Sequence, residues 1–195
     1  KDRDANLNLK FFFFCEEDLG KTFQVGERIG IGATTLENIQ AHLQKVYAGH
    51  VGVEYKYISD QNKVNWLAEE MEKDFTKPVP LVTKKRILEK INQGVMFEKF
   101  LHTKYVGQKR FSLEGGETTI PALDAIINKS AFLGVKEVVI GMAHRGRLNI
   151  LANIMGKTYE QIFSEFEGTG KVDQTMGSGD VKYHMGFGSE IETPE

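Results

Sequence analysis

The segment from Val138 to Leu151, VVIGMAHRGRLNIL, is the part of the chain that most constrains its fold. Its β-branched residues end at Gly141, a His-Arg-Gly-Arg cluster follows, and apolar residues then return at helical spacing. This pattern predicts a strand that leads into a helix through a short polar turn. In open α/β folds such a turn lies at the carboxyl end of the sheet, where ligands bind. Two guanidinium groups and an imidazole beside a helix N-terminus suit an anion, so the turn is a candidate binding site.

The composition is that of an ordinary globular chain: 195 residues, 41% hydrophobic and 27% charged, with a formal net charge of −2. This near-neutral balance gives no support for a nucleic-acid or membrane-surface role, which would need a basic excess. No apolar run approaches the roughly 20 residues of a membrane span, and we expect no signal peptide. The single cysteine, Cys15, excludes an internal disulfide and is expected to be a small buried hydrophobe.

The first part of the chain is predicted to be mainly helical, because apolar residues recur there at steps of three and four. The predicted elements are a strand over 7–14, a helix over 35–48 capped by Thr34 or Thr35, a strand or extended connector over 51–58, a helix capped by Ser59 or Asp60 and ended by the prolines at 77–80, and a helical pattern over 81–105 that Gly94 breaks in two. His42, His50 and His102 are expected at the surface or between helices.

From about residue 107 the pattern changes to an alternation of helix and strand, which is half of a parallel-sheet domain. The predicted elements are a helix capped by Thr118 or Thr119 with Pro121 in its first turn, a buried strand over 135–141, the helix after the His-Arg turn, and a helix over 159–168. We therefore predict an α/β chain with a helical N-terminal region (1–107) and the truncated start of an α/β domain (108–195). Because one strand cannot form a sheet, we expect the chain to be a fragment of a longer protein.

The candidate chemical groups of the turn are His144, Arg145 and Arg147. Arginine forks bind anions, and histidine acts as an acid, base or donor near neutral pH. The alternative is a helix start whose arginines pair with nearby carboxylates.

Two further segments have functional interpretations. His184 lies among glycines, which let a backbone approach a ligand closely, although a plain loop histidine fits the pattern as well. The segment RFSLEGGE (110–117) is either one wall of a ligand site or a turn at the entrance of a domain. The sequence contains no phosphate-binding loop, zinc-ligand spacing or nucleophile elbow.

Three blocks of the sequence, KRFSLEGGE, VVIGMAHRGRLNILANIMGK and GSGDVKYHMGFGSE, closely resemble consecutive blocks of the 2-oxoglutarate dehydrogenase E1 components. The helical region from Thr34 matches as well, so the resemblance covers about residues 34–195. It implies a thiamine-diphosphate-dependent oxidoreductase of the tricarboxylic acid cycle. Such an enzyme decarboxylates 2-oxoglutarate and transfers the succinyl group to a lipoyl group of its E2 partner, dihydrolipoyl succinyltransferase.

The resemblance also implies roles for individual residues. His144 and His184 would be active-site histidines that contact the 2-oxo acid and assist proton transfer. Arg145 would contact thiamine diphosphate, and Phe111 would line the substrate pocket. The family further implies a homodimer, located in the cytoplasm of a bacterium or in the mitochondrial matrix of a eukaryote.

The chain departs from the family pattern in one respect. Thiamine enzymes of this type hold Mg²⁺ and the diphosphate with a Gly-Asp motif and a later Asn, and residues 1–195 do not supply this pair. We therefore expect no metal site in the chain, weak or absent binding of thiamine diphosphate, and no decarboxylation by the chain alone. The alternatives are a 2-oxoadipate dehydrogenase, a 2-oxoglutarate decarboxylase without acyl transfer, and a non-catalytic helical interaction or assembly module.

Overall fold

The structure is a computed structural model that describes residues 9–75, 77–167 and 186–194. It divides into two compact units, Lys1–Val79 and Pro80–Glu195. The described residues are mostly helical, with one small antiparallel sheet. The helical character predicted for the first part of the chain is confirmed, and its predicted division at about residue 107 stays a prediction.

The first unit contains a two-stranded sheet and two helices. Strand β1 (Thr22–Phe23) pairs antiparallel with β2 (Thr34–Thr35), and helices α1 (Leu36–Tyr47) and α2 (Gln61–Asp74) follow. The predicted caps are confirmed, because Thr35 Oγ1 accepts from Asn38 N at 3.4 Å and Asp60 Oδ1 accepts from Asn62 N at 2.9 Å. These side chains satisfy backbone N–H groups that a helix start leaves without partners.

His42 links the two helices of this unit, which agrees with its predicted position at the surface or between helices. The residue is buried on α1, and its Nε2 lies 2.6 Å from the carbonyl oxygen of Glu72 on α2. The hydroxyl of Tyr47 donates to the carboxylate of Glu72. Burial, followed by the contact with Glu72, raises the pKa of Tyr47.

Residues 51–58, predicted as a strand or an extended connector, contain no strand, which leaves the connector. The strand predicted over 7–14 is wrong, because Leu9–Phe12 forms a 3₁₀ helix. The chain turns back at Phe13 (φ 65°), and Phe14 N donates to Leu9 O at 3.1 Å. The backbone groups are thus satisfied locally, with no need of a neighbouring strand.

The predicted burial of Cys15 is also wrong, since the residue is exposed. Its backbone N–H and its thiol donate to Asp18 Oδ2 at 2.8 and 3.1 Å, which directs the side chain to a polar turn.

The second unit contains four helices: α3 (Leu81–Lys104), α4 (Thr119–Phe132), α5 (Arg147–Asn153) and α6 (Tyr159–Glu167). The helix predicted after a cap at Thr118 or Thr119 is confirmed as α4, with Thr118 at its N-cap and Pro121 in its first turn, and the helix predicted over 159–168 is confirmed over Tyr159–Glu167. Even α3, which has 24 residues, lacks the apolar character of a bilayer span, and the same holds for every other helix within the described ranges.

The predicted break of α3 at Gly94 is wrong, because the helix is continuous there. Gly94 is buried against α4 and α5: a Cβ atom at this position would lie 3.5 Å from Ile120 Cγ1 and from Asn149 Oδ1. Packing on this face holds the glycine in a helix interior that its backbone freedom disfavours. The residue therefore serves a close helix approach.

Residues 135–141, predicted as a buried strand, form no strand in the described part of the chain. Val139 is 87% exposed, whereas Ile140 packs against the core. A strand is stable only with neighbours to hydrogen-bond, and the described residues offer none here. The parallel sheet predicted for this region is therefore absent from residues 77–167 and 186–194.

Helix α5 lies between two hydrophobic clusters of the second unit. Leu148 belongs to the cluster with α3 and α6, and Ile150 belongs to the cluster with α4 and Leu113. Because both faces of this short helix are buried, the His-Arg turn that precedes it is fixed at the edge of the core.

An ion-pair group connects α3 with α4. Arg86 binds both carboxylate oxygens of Asp124, at 2.6 and 2.8 Å, and Lys90 Nζ lies 3.6 Å from the same carboxylate. Partial burial raises the pKa of Asp124, but the hydrogen bond from Arg86 and the charge of Lys90 outweigh it and leave the pKa lowered.

We expect Gly94→Ala to be tolerated and Gly94→Leu to destabilise the protein. Alanine places its Cβ at ordinary contact distance and gains up to about 1 kcal/mol of helix propensity, whereas leucine overpacks the site by about 1–3 kcal/mol. Urea unfolding of both variants measures the difference. A Gly94→Leu variant as stable as the wild type would contradict the close packing of α3.

We expect Asp124→Asn to lower the free energy of unfolding at pH 7 by roughly 1 kcal/mol, a modest value because Arg86 is partly exposed. The pKa of Asp124 is lowered in the folded state, so its contribution is present above the unfolded value of 3.8 and is lost as the pH falls through the folded value. The free energies of unfolding of wild type and Asp124→Asn, measured from unfolding curves at several pH values, should therefore converge in acid. The control is Glu137→Gln, which removes an exposed carboxylate. Its free energy of unfolding should stay close to that of the wild type.

Candidate functional site

The His-Arg turn (residues 144–147) is held in shape by Gly146. This residue has φ 74° and donates its N–H to the carbonyl oxygen of Phe111 at 2.8 Å. A Cβ atom at position 146 would lie only 2.5 Å from Leu113 Cδ1. Both the left-handed backbone and the close approach of Leu113 require glycine between the two arginines.

The loop of residues 111–117 lies against this turn. Phe111 has φ 46°, which is unusual for a residue with a side chain, and its ring centroid is 5.0 Å from that of His144. Within the loop, Gly116 N donates to Leu113 O at 2.7 Å and Gly115 N donates to Glu117 Oε1 at 3.0 Å. Two residues named by the family resemblance, 33 positions apart in the sequence, are thus in contact.

Arg145 is exposed and is anchored on the same loop, where its Nη2 donates to the carbonyl oxygen of Glu114 at 2.8 Å. The pKa of the Glu117 carboxyl is lowered. The largest cause is a hydrogen bond from the backbone N–H of Glu117 itself, followed by the one from Gly115 N–H and by the charge of Arg145. A guanidinium carries five N–H donors, so Arg145 can bind an anion while it holds Glu114.

Arg147 is oriented differently from Arg145. It is half-buried, and its Nη1 lies 3.5 Å from the carbonyl oxygen of Met142, on its own chain segment. Of the predicted anion-binding groups, the structure therefore places His144 and Arg145 at the loop of residues 111–117, and it turns Arg147 back on the preceding segment.

A buried polar group under the turn was missed by the sequence analysis. Glu98 Oε1 accepts from Leu113 N at 3.0 Å and from Asn149 Nδ2 at 3.1 Å, and Asn149 Nδ2 also donates to Gly94 O at 3.0 Å. The sequence signal for these two residues is weak: Glu98 directly follows buried Phe97 and Asn149 lies between Leu148 and Ile150, but consecutive helix residues point to different faces.

The remaining predicted site residue, His184, falls within 168–185, which the structure does not describe, so its role at the site stays a prediction. His102, expected at the surface or between helices, is exposed, and its Nδ1 lies 2.7 Å from Arg110 Nη2. Across residues 9–75, 77–167 and 186–194, no group of three or more His, Cys, Asp or Glu side chains is placed to hold a metal ion.

Known proteins similar to this chain have names that refer to 2-oxoglutarate metabolism. No protein-family model matches the chain. It is 52% identical over 169 residues, 87% of its length, to the multifunctional 2-oxoglutarate metabolism enzyme of Mycolicibacterium vanbaalenii. It is 45% identical over 190 residues, 96% of its length, to the 2-oxoglutarate dehydrogenase E1 component of Cupriavidus necator. The E1/E2 component of Corynebacterium glutamicum is 50% identical over 169 residues, again 87% of the chain.

These matches cover nearly the whole chain but only part of each relative. The chain spans 14% of the Mycolicibacterium and Corynebacterium proteins and 20% of the Cupriavidus protein. Identity at this level over such a length reflects common descent, and the blocks around Phe111 and His144 lie in the shared region. The chain is therefore a homologue of one segment of the 2-oxoglutarate dehydrogenase E1 component.

Proposed function

We propose that this chain forms one wall of the active site of a 2-oxoglutarate dehydrogenase E1 component. In the whole protein, 2-oxoglutarate would lose CO₂ and its succinyl group would pass to the lipoyl group of an E2 succinyltransferase. The observation that carries the proposal is the contact of Phe111 with His144, with Arg145 anchored beside them on the same loop.

The residues have chemistry that suits a dicarboxylic 2-oxo acid. The imidazole of His144 can donate to a substrate carboxylate and move a proton near neutral pH. The ring of Phe111 offers an apolar surface against the substrate's carbon chain. We assign substrate contact to these two residues and to His184, whose role rests on the family resemblance alone.

Thiamine diphosphate would supply the electron sink for decarboxylation when bound. The exposed guanidinium of Arg145, held by a single carbonyl, has the donor chemistry of a diphosphate contact. The described residues do not fit Mg²⁺, because they hold no cluster of metal ligands. We therefore propose that the chain contributes Arg145 to the cofactor, and that Mg²⁺ and most diphosphate contacts come from elsewhere in the whole protein.

Several finer assignments belong to the same proposal. We propose a domain start of the thiamine-diphosphate-binding type for residues 108–195, a homodimeric whole protein, and a location in the bacterial cytoplasm, in keeping with the organisms of its relatives. The names of these relatives favour 2-oxoglutarate over 2-oxoadipate, and they favour an enzyme over a non-catalytic assembly module. Comparing turnover of the two oxo acids by the whole protein tests the first choice.

We expect His144→Ala, in an E1 component that contains this segment, to lower kcat by about 10²–10⁴-fold, the usual contribution of a positioned acid–base group. The control is His102→Ala, which removes an exposed histidine of the same unit and should leave kcat nearly unchanged. Steady-state decarboxylation assays measure both. Turnover of His144→Ala within a few-fold of wild type would contradict the proposed site.

We expect Arg145→Ala to weaken the binding of thiamine diphosphate to the same protein by about tenfold or more, because a charge-assisted hydrogen bond is lost. Arg145→Lys should recover part of the affinity, since lysine keeps the charge but not the fork. Lys99→Ala, at an exposed cation of α3, is the control. Calorimetry that gives equal affinities for wild type and Arg145→Ala would exclude this cofactor contact.

A further inference from the structure

We propose that Glu98 is a positioning residue for the proposed site, which holds the 111–117 loop and α5 together so that Phe111 and His144 stay in contact. This inference rests on the proposed function of the turn. Glu98 lies on α3, outside both segments, and its carboxylate is buried between them with only 8% of the residue exposed.

The first link runs from Glu98 to the loop. Its Oε1 accepts the backbone N–H of Leu113 at 3.0 Å. The side chain of Leu113 fills the space left by the missing Cβ of Gly146, and Gly146 N in turn donates to Phe111 O at 2.8 Å. A shift of Leu113 would therefore disturb both the loop that carries Phe111 and the turn that carries His144.

The second link runs from Glu98 to α5. The same Oε1 accepts from Asn149 Nδ2 at 3.1 Å, and the side chain of Asn149 is completely buried. Asn153 Nδ2 donates to Asn149 Oδ1 at 2.7 Å, which fixes the orientation of the amide. Because α5 begins at Arg147, the last residue of the turn, this hydrogen bond also fixes the position of the turn at the edge of the core.

The carboxylate is costly to retain for stability alone. Glu98 Oε2 is buried with no hydrogen-bond partner in the described part of the chain, and a buried polar atom without a partner lowers stability. Among the described residues, its hydrogen bonds go to Oε1, from the loop that carries Phe111 and from α5, the helix that follows His144 and Arg145. A buried carboxylate that lowers stability and yet hydrogen-bonds both the loop and α5 fits a role in positioning.

The test compares two replacements of nearly equal volume. Glu98→Gln keeps an acceptor oxygen in the place of Oε1, whereas Glu98→Met removes it. Ile162→Ala, which truncates a fully buried residue of α6, is the control for general loss of stability. Amide hydrogen exchange of this chain and steady-state kinetics of an E1 component that contains it are measured for each variant.

We expect Glu98→Met to speed exchange of the Leu113 amide by about tenfold or more and to lower kcat/KM for the oxo acid by about ten- to a hundredfold, with Glu98→Gln close to wild type in both. Ile162→Ala should speed exchange throughout the unit without changing KM. The proposal is overturned if Glu98→Met matches Ile162→Ala in both measurements, or if the wild-type Leu113 amide exchanges as fast as the exposed loop amides. The wild-type exchange requires no variant to fold.

The outcomes separate this inference from the proposed function. If His144→Ala retains activity, the assigned function of the turn fails, whatever the exchange data show. If His144→Ala is inactive and Glu98→Met has normal kcat/KM, the function stands and the positioning role of Glu98 fails.

Discussion

The close approach of α3 and α5 at Gly94 is the constraint on which the arrangement of the second unit depends. Because Gly94 has no side chain, the buried amide of Asn149 can reach both the Gly94 carbonyl and the Glu98 carboxylate. An amide that is fully buried must have such partners, and these come from a single helix turn of α3. Helix α5 is thereby seated with Leu148 and Ile150 in the two hydrophobic clusters on either side of it.

The geometry of the candidate site depends on this position of α5. The His-Arg turn is short, and its conformation depends on what lies beneath it: Leu113 under Gly146, and the Phe111 carbonyl bonded to the Gly146 N–H. Phe111 itself adopts a backbone conformation that a side chain disfavours. A strained residue of this kind persists when its surroundings determine it, and here those surroundings are the buried polar group and the turn.

The helices could be predicted from the sequence, because their stability comes from local caps and from an apolar face that recurs in the sequence. Thr35 and Asp60 are such caps. The described residues form no strand at 9–14 or 135–141, where the sequence pattern predicted one, since a strand depends on a partner that the pattern does not contain. The helix break predicted at Gly94 is wrong for a related reason. The low helix propensity of glycine is offset by contacts with Asn149, which lies 55 positions away.

The site was predictable in part. The polar turn after an apolar run pointed to His144 and Arg145, and the family resemblance added Phe111. Nothing local indicated that Arg145 would bind the Glu114 carbonyl while Arg147 turned back on Met142. Glu98 was missed because an acidic residue on a helix is usually solvated, and only the packed structure places its carboxylate beside Leu113 and Asn149.

The segment at residues 135–140 has a consequence for the chain when it is handled alone. Its valines are exposed and its peptide groups lack strand partners in the described part of the chain, which makes it a template for edge-to-edge association. Lys136 and Glu137, both exposed, interrupt this apolar run with charge and oppose such stacking. Two side chains that have no part in the proposed chemistry thus oppose association of the isolated chain.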